Sequence, residues 1–403
     1  MNTEENAAKL INVIKEVSQF DEKEDKVLNI HEPFFENTNA WSYLKECLDS
    51  GWVSSSGKYI EKFEEKICEF TNSKYSIAVT NGTVGLRLAL SVIGVKYKDE
   101  VFIPPLSFIA TANSISHLGA IPHFVDIETK TLGMCPNKLL KRLKDIVVFI
   151  NGKPHNKMSG NRIGAILPVH IFGNPAEVEK IKLIGKEFKI PMIEDAAEAL
   201  GSFKKEKNNY KHCGLFGDIG VISFNGNKII TTGGGGALIT NDKKLAEKAK
   251  HLSKTAKVNH PWEFSHSEIG WNDRMPNINA ALGLSQIEVL RNRLKLKKDL
   301  YLLYKEKIKQ LAFAQILENP SNCISNNWLI NLIINKEANL NPREFRDYLL
   351  EKCHQKNILL RPIWQLLNEQ KIYKNMPSGE IRNANDIVSR VISLPSSPQL
   401  LIR

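Results

Sequence analysis

One lysine, Lys228, stands alone in the run "VISFNGNKIITTGGGGALIT" (221–240), among amide, hydroxyl and glycine residues and with no carboxylate in the run. A primary amine in that company suits attack on a carbonyl, because a Schiff-base lysine must lose its proton and have room to swing. Gly226 and Gly233 to Gly236 would let the backbone approach a flat ligand closely. Asp195, in "IEDAAEALGS", falls at a strand end 33 residues before Lys228, and "TNGTVGLRLAL" (80–90) ends a strand, turns at Asn-Gly and opens a helix at once. Free N–H groups and the positive dipole end of that helix suit a phosphate. Each feature also has a plainer use: Asp195 as a helix N-cap, Asn-Gly as an ordinary connection, "TTGGGG" as a tight hairpin. A nucleotide loop is excluded, since neither G-x-x-x-x-G-K-[ST] nor G-x-G-x-x-G after a first strand occurs.

The elements that would hold these groups alternate. Short β-branched runs at 75–80, 99–104, 121–127, 162–170, 190–195, 218–224 and 236–240 are separated by helical patterns such as "TVGLRLALSVIGV", "PNKLLKRLKDI" and "NPAEVEKIKLIGKEFK". Such alternation predicts a mostly parallel sheet covered on both faces. Ligands of such sheets lie beyond the carboxyl ends of strands, where Asp195, His170, the "NGT" of 81–83 and Lys228 all fall. After about residue 256 the pattern changes to a helical stretch (277–311), a strand-like "NWLINLII" (327–334) and a helix (342–356). The expected division is an N-terminal helical extension (1–29), a large α/β domain (30–255) and a smaller C-terminal α+β domain (256–403).

Composition bounds the rest. The 403 residues are 42% hydrophobic and 25% charged, with a net charge of +11, and the lysines are dispersed over helices such as "RNRLKLKKDLYLLYKEKIKQ". That spacing describes a solvated surface, and no basic face interleaved with aromatics or recognition module points to nucleic acid. No apolar stretch approaches the roughly 18 residues that span a bilayer, and the N-terminus opens acidic, unlike a signal peptide. A cytoplasmic protein away from the membrane is expected. The six cysteines form no C-x-x-C pair, so reduced thiols and no structural metal are expected.

Taken in order, "GWVSSSGKYIEKFE", "TNGTVGLRLAL", "SFIATANSI", "PVHIFGNPAE", "IEDAAEALGS", "GDIGVISFNGNKIITTGGGG", "GWNDRMPNINAALGLSQ" and "SLPSSP" resemble the pyridoxal-phosphate-dependent sugar aminotransferases of the DegT/DnrJ type, over about residues 30 to 400. The resemblance implies an aspartate-aminotransferase-like α/β fold (fold type I) and pyridoxal 5′-phosphate as cofactor. It implies that Lys228 holds the cofactor covalently and then shuttles a proton, and that Asp195 pairs with the pyridinium nitrogen. Phe108 would stack on the ring, Gly82 and Thr83 would give N–H groups to the phosphate, and Ser223 would add a hydroxyl. Asn272 would reach the phosphate of a neighbouring subunit, making the active sites shared within a homodimer. Glu198 takes a position near the cofactor's 3′ oxygen where many relatives carry Gln or His. His170 lines the pocket on this reading, and a satisfied buried histidine is the equal alternative. Relatives that replace the lysine by histidine are dehydratases; Lys228 is kept here, which favours transamination.

The block before "NIHEPFF", the segment "YLKECLDSGWVSSSGKYIEKFE" and "IWQLLN" resemble the LegC-like branch associated with legionaminic-acid and bacillosamine-type sugars. That resemblance implies amination at C4 of a UDP-linked 2-acetamido-2,6-dideoxy-hexos-4-ulose with L-glutamate as donor, with Trp52, Ser55 and Arg361 near the nucleotide sugar. The segment "RPIWQLLNEQ" departs from the Trp-x-Pro-Leu-His signature of many relatives. The alternatives are a GDP-4-keto-6-deoxymannose aminotransferase making perosamine, and a non-catalytic regulatory or binding protein on the same fold.

Overall fold

The computed structural model describes residues 3–336 and 341–402. Met1, Asn2, 337–340 and Arg403, which belong to the expected extension and second domain, lie outside them.

Seven strands form the central sheet in the order Ile121–Phe124, Glu100–Ile103, Ile163–Ile166, Ile193–Asp195, Ile219–Ser223, Gly236–Thr240 and Tyr75–Val79, with parallel bridges at Ile166–Met192 and Val169–Asp195 joining its two halves. Neighbours run parallel except around Gly236–Thr240, which is antiparallel to both of its partners. Successive strand residues serve opposite faces, as the pleat requires. Ile77, Val79, Val101, Ile103 and Val221 pack against the helices Gly82–Val92, Ala110–Ser116 and Lys243–Leu252. Ala78, Ile222 and Ile239 face Lys58–Thr71 and Asn277–Glu288, while Phe102 and Ile166 face Pro136–Ile146 and Val178–Glu187. A sheet buried on both sides needs apolar residues at nearly every position, which is why these runs lack clean alternation in the sequence.

A second, antiparallel sheet pairs Ala314–Ile316, Ile330–Ile334, Val391–Leu394 and Arg361–Pro362. Its covering helices are Leu290–Ile308, Pro342–Gln355 and Thr3–Ser18.

The packing departs from the expected division in two places. The N-terminal helix is no appendage: Leu10, Ile14 and Val17 are fully buried in one cluster with Leu300, Tyr304, Leu332 and Phe345. The expected helical stretch 277–311 breaks near Val289, and its first half, Asn277–Glu288, belongs to the core of the large sheet through Ala280, Leu284 and Ile287. The strap between them, residues 28–34, ties both units together. On the side of the small sheet Ser396 N donates to Ile30 O at 2.7 Å and Glu32 N to Ser397 Oγ at 2.9 Å, and on the side of the large sheet Gln286 Nε2, from Asn277–Glu288, donates to Phe34 O at 3.3 Å.

Candidate active site

Lys228 lies on the loop between Ile219–Ser223 and Gly236–Thr240, two neighbouring antiparallel strands, so the loop folds back on itself. Thr232 N donates to Phe224 O at 3.0 Å and Phe224 N to Gly235 O at 2.8 Å. Two of its glycines, Gly235 and Gly236, serve this backbone packing. A Cβ at Gly236 would lie 2.8 Å from the Asn81 carbonyl and 2.9 Å from Gly82 N, and one at Gly235 would lie 2.1 Å from Thr232 Oγ1. Gly234 has no neighbour closer than 3.9 Å. The run therefore presses the lysine loop against the start of the Gly82–Val92 helix.

That helix opens under Asn81, whose side chain accepts from Val84 N at 2.9 Å, and its first amides, Gly82 and Thr83, line a cleft of about 290 Å³. Ser223 faces them: a Cβ on Gly82 would lie 3.0 Å from the Ser223 Cβ. Asp195 ends its strand in the same cleft, with Thr111 Oγ1 donating to Oδ2 at 2.7 Å and Ala197 N to Oδ1 at 3.2 Å. Burial pushes the Asp195 carboxyl above its usual range, against the opposing pull of those donors and of Lys228.

Across the cleft, Lys228 Nζ donates to Glu198 Oε1 at 3.2 Å and stands 3.8 Å from the centre of the Trp328 ring. Glu198 Oε2 accepts from Phe172 N at 2.7 Å. Burial raises the Glu198 carboxyl too, with the Lys228 charge pulling the other way. Phe108 is half-exposed on the wall, its ring 6.0 Å from that of Trp364, which stacks on Phe172 at 5.0 Å.

Gly82, Thr83, Phe108, Asp195, Glu198, Ser223 and Lys228 thus meet in one cleft. His170 does not line it. The ring is fully buried, its Nε2 donating to Glu194 Oε2 at 2.9 Å and its Nδ1 accepting from Ala176 N at 3.1 Å. With both nitrogens used it is a satisfied core histidine, and the pocket role is corrected. Burial alone would raise Glu194, but His170 and the Gly217 and Gly214 amides outweigh it and hold it low. Asn272, Trp52 and Arg361 are exposed and Ser55 is partly exposed, all outside the cleft of their own chain. Ser55 and the segment around Asn272 are neighbours, since Arg274 Nη1 donates to Ser55 O at 3.0 Å. Thr111, Trp328 and Trp364 escaped the sequence reading as site residues, although Thr111 lies one helical turn after Phe108.

The cleft fits pyridoxal 5′-phosphate. A helix start with a hydroxyl opposite suits the phosphate, and a deeply buried carboxylate held by one hydroxyl and one long amide contact has capacity for a cationic ring N–H. Lys228 supplies the amine. Among the described residues no group of three or more His, Cys, Asp or Glu could hold a metal ion, and no helix is long and apolar enough to cross a membrane.

Known proteins agree. The sequence profile described as the DegT/DnrJ/EryC1/StrS aminotransferase family matches residues 36–401. The chain is 35% identical to the GDP-perosamine synthase of Escherichia coli O157:H7, covering 89% of this chain and 90% of that protein. It is 34% identical to the putative pyridoxal phosphate-dependent aminotransferase EpsN of Bacillus subtilis, covering 89% and 88%. Among solved structures, Helicobacter pylori PseC, an aminotransferase of pseudoaminic acid biosynthesis, superposes with a TM-score of 0.80 at 26% identity, over 92% and 94% of the two chains. A non-catalytic protein on this fold is set aside by the family and by the joint presence of Lys228 and Asp195 in the cleft. The chain belongs to the DegT/DnrJ/EryC1/StrS family and is a pyridoxal-phosphate-dependent sugar aminotransferase of fold type I.

Proposed function

We propose that the protein aminates C4 of a nucleotide-linked 4-keto-6-deoxy sugar, UDP-2-acetamido-2,6-dideoxy-hexos-4-ulose, with L-glutamate as donor. The observation that carries the chemistry is Lys228 in the same cleft as buried Asp195 and the helix start at Gly82 and Thr83. When bound, pyridoxal 5′-phosphate supplies an electron sink that lets an amino group leave the donor and later enter the sugar. Lys228 Nζ, as the free amine, takes the proton from the donor's α-carbon, and as the ammonium it returns one to the sugar carbon. The Asp195 carboxylate holds the proton of the ring nitrogen, and Thr111 keeps that carboxylate oriented. Gly82, Thr83 and Ser223 fix the phosphate, and Phe108, Trp328 and Trp364 exclude water from the reacting atoms.

The N-terminal block and "IWQLLN" support the UDP sugar. A second reading, GDP-4-keto-6-deoxymannose, is favoured by the 35% identity to a GDP-perosamine synthase. Asn272, Trp52 and Ser55 act from a second copy of the chain on this reading. Trp262, Phe264 and Ile269, which are 75%, 80% and 88% exposed in the loop before Asn272, support such a partner, because large exposed apolar groups gathered in one segment mark contact surfaces. The test of the sugar is competition: both keto sugars in equal amounts, L-glutamate, and mass spectrometry of the aminated products. A UDP product is expected; a GDP product alone would replace the first reading by the second.

A further inference from the structure

Two groups around Lys228 have no part in the scheme above beyond shaping the cleft. Trp328 enters from the second sheet, immediately before Ile330–Ile334, and is 2% exposed. Its Nε1 donates to Asn227 O at 2.7 Å, gripping the lysine loop one residue before Lys228, and its ring face lies 3.8 Å from Lys228 Nζ. Glu198 reaches the same nitrogen at 3.2 Å from the other strand system, with its second oxygen anchored by Phe172 N. A carboxylate and an aromatic face are the two partners that prefer an ammonium to a neutral amine.

We propose that Trp328 and Glu198 are positioning residues that form a holding site for Lys228 whenever it is an ammonium not bonded to the cofactor. The inference rests on Lys228 being the cofactor lysine. The reaction needs this nitrogen in two states, and a site that favours the charged one sets how readily the free amine becomes available. Other charged groups bear on the same nitrogen. Asp195 lies in the same cleft. His31, from the strap, lies behind the loop and is itself held neutral by burial and by Lys297, Lys228 and Arg293. Lys297 donates to the carbonyls of Trp328 and Ser396, which ties the indole's backbone to the helix Leu290–Ile308.

The test follows the rate at which protein stripped of cofactor takes up pyridoxal 5′-phosphate at one pH near neutrality, read from the visible absorbance of the lysine adduct. Uptake requires the lysine to leave the holding site as the free amine, so loosening the site speeds it. Trp328→Leu and Glu198→Gln should each raise the uptake rate about three- to tenfold, and Trp328→Phe, which keeps an aromatic face, should leave it close to wild type. A merely structural role for Trp328 would make Phe and Leu alike and slower than wild type, and that result overturns the proposal, as does an unchanged rate in Glu198→Gln with Trp328→Leu. Failure of the underlying reading looks different: wild type itself, or Lys228→Ala and wild type equally, would show no adduct band or the same one.

Discussion

Asp195 and Glu198 are carboxyls whose burial works against their own charge. A carboxyl with a raised folded-state pKa binds its proton more tightly folded than unfolded. The resulting stability is fully present below the ordinary carboxylate range and is lost as pH rises through the raised value. Asp195→Asn removes that loss. At pH 8, protein stripped of cofactor should therefore unfold later in the variant, by on the order of 1 kcal/mol, with the gap closing as pH falls toward 4. Turnover should fall by roughly 10²-fold or more, because the ring nitrogen loses its proton-holding partner. Denaturant melts at several pH values and steady-state kinetics check both halves. Arg361 carries a separate prediction: if this exposed cation, three residues before Trp364, helps to bind the nucleotide sugar as the resemblance implies, Arg361→Ala should raise KM for the nucleotide sugar about tenfold with cofactor loading unchanged. At this scale Lys228, Asp195, Gly82 and Thr83 were legible because strand ends in a parallel sheet gather at one edge. Trp328 was not. Its indole reaches the lysine from a different sheet, and nothing local in "SNNWLINLII" distinguishes a cleft wall from a core tryptophan. His170 misled for the complementary reason: its partner Glu194 belongs to the neighbouring strand, a pairing that only the register reveals.

Among the elements, the four glycines separate into two kinds. Gly236 touches the Asn81–Gly82 turn so closely that a methyl group has no room, whereas Gly234 has open space. Gly236→Ala must push the lysine loop away from the helix start, costing about 1–3 kcal/mol and weakening the hold on the phosphate. Gly234→Ala should stay within about 0.5 kcal/mol of wild type. Thermal unfolding and cofactor titration of the two variants side by side give the comparison, and equal behaviour would refute the packing argument. The sequence marked the run as special yet could not rank its members, because the contact that matters comes from a strand far earlier in the chain. The alternation of strands and helices was read closely for the large sheet. The limits of 256 and 29 were misplaced, since helical periodicity shows that a face is buried but not which sheet buries it. Asn277–Glu288 went to the large core and Thr3–Ser18 to the small one.

For the molecule as a whole, Asn272, Trp52 and Ser55 lie outside the cleft of their own chain, and Ser55 and the segment around Asn272 are held together by Arg274. If a second copy brings them to the cleft, defects in Lys228 and Asn272 belong to different chains of the same active site. Lys228→Ala homodimers should be inactive through the lysine, and Asn272→Ala homodimers should be nearly so at limiting cofactor through loss of a phosphate contact. Mixing the two and allowing subunits to exchange creates heterodimers in which one site carries both defects and the other carries neither. About a quarter of all sites in an equal mixture would then be intact. Activity at limiting cofactor should rise toward that fraction as exchange proceeds, with sedimentation reporting a dimer throughout. Two inactive proteins cannot restore each other if each chain builds its site alone, so an absence of recovery in a mixture shown to have exchanged would assign Asn272 to its own chain's surface.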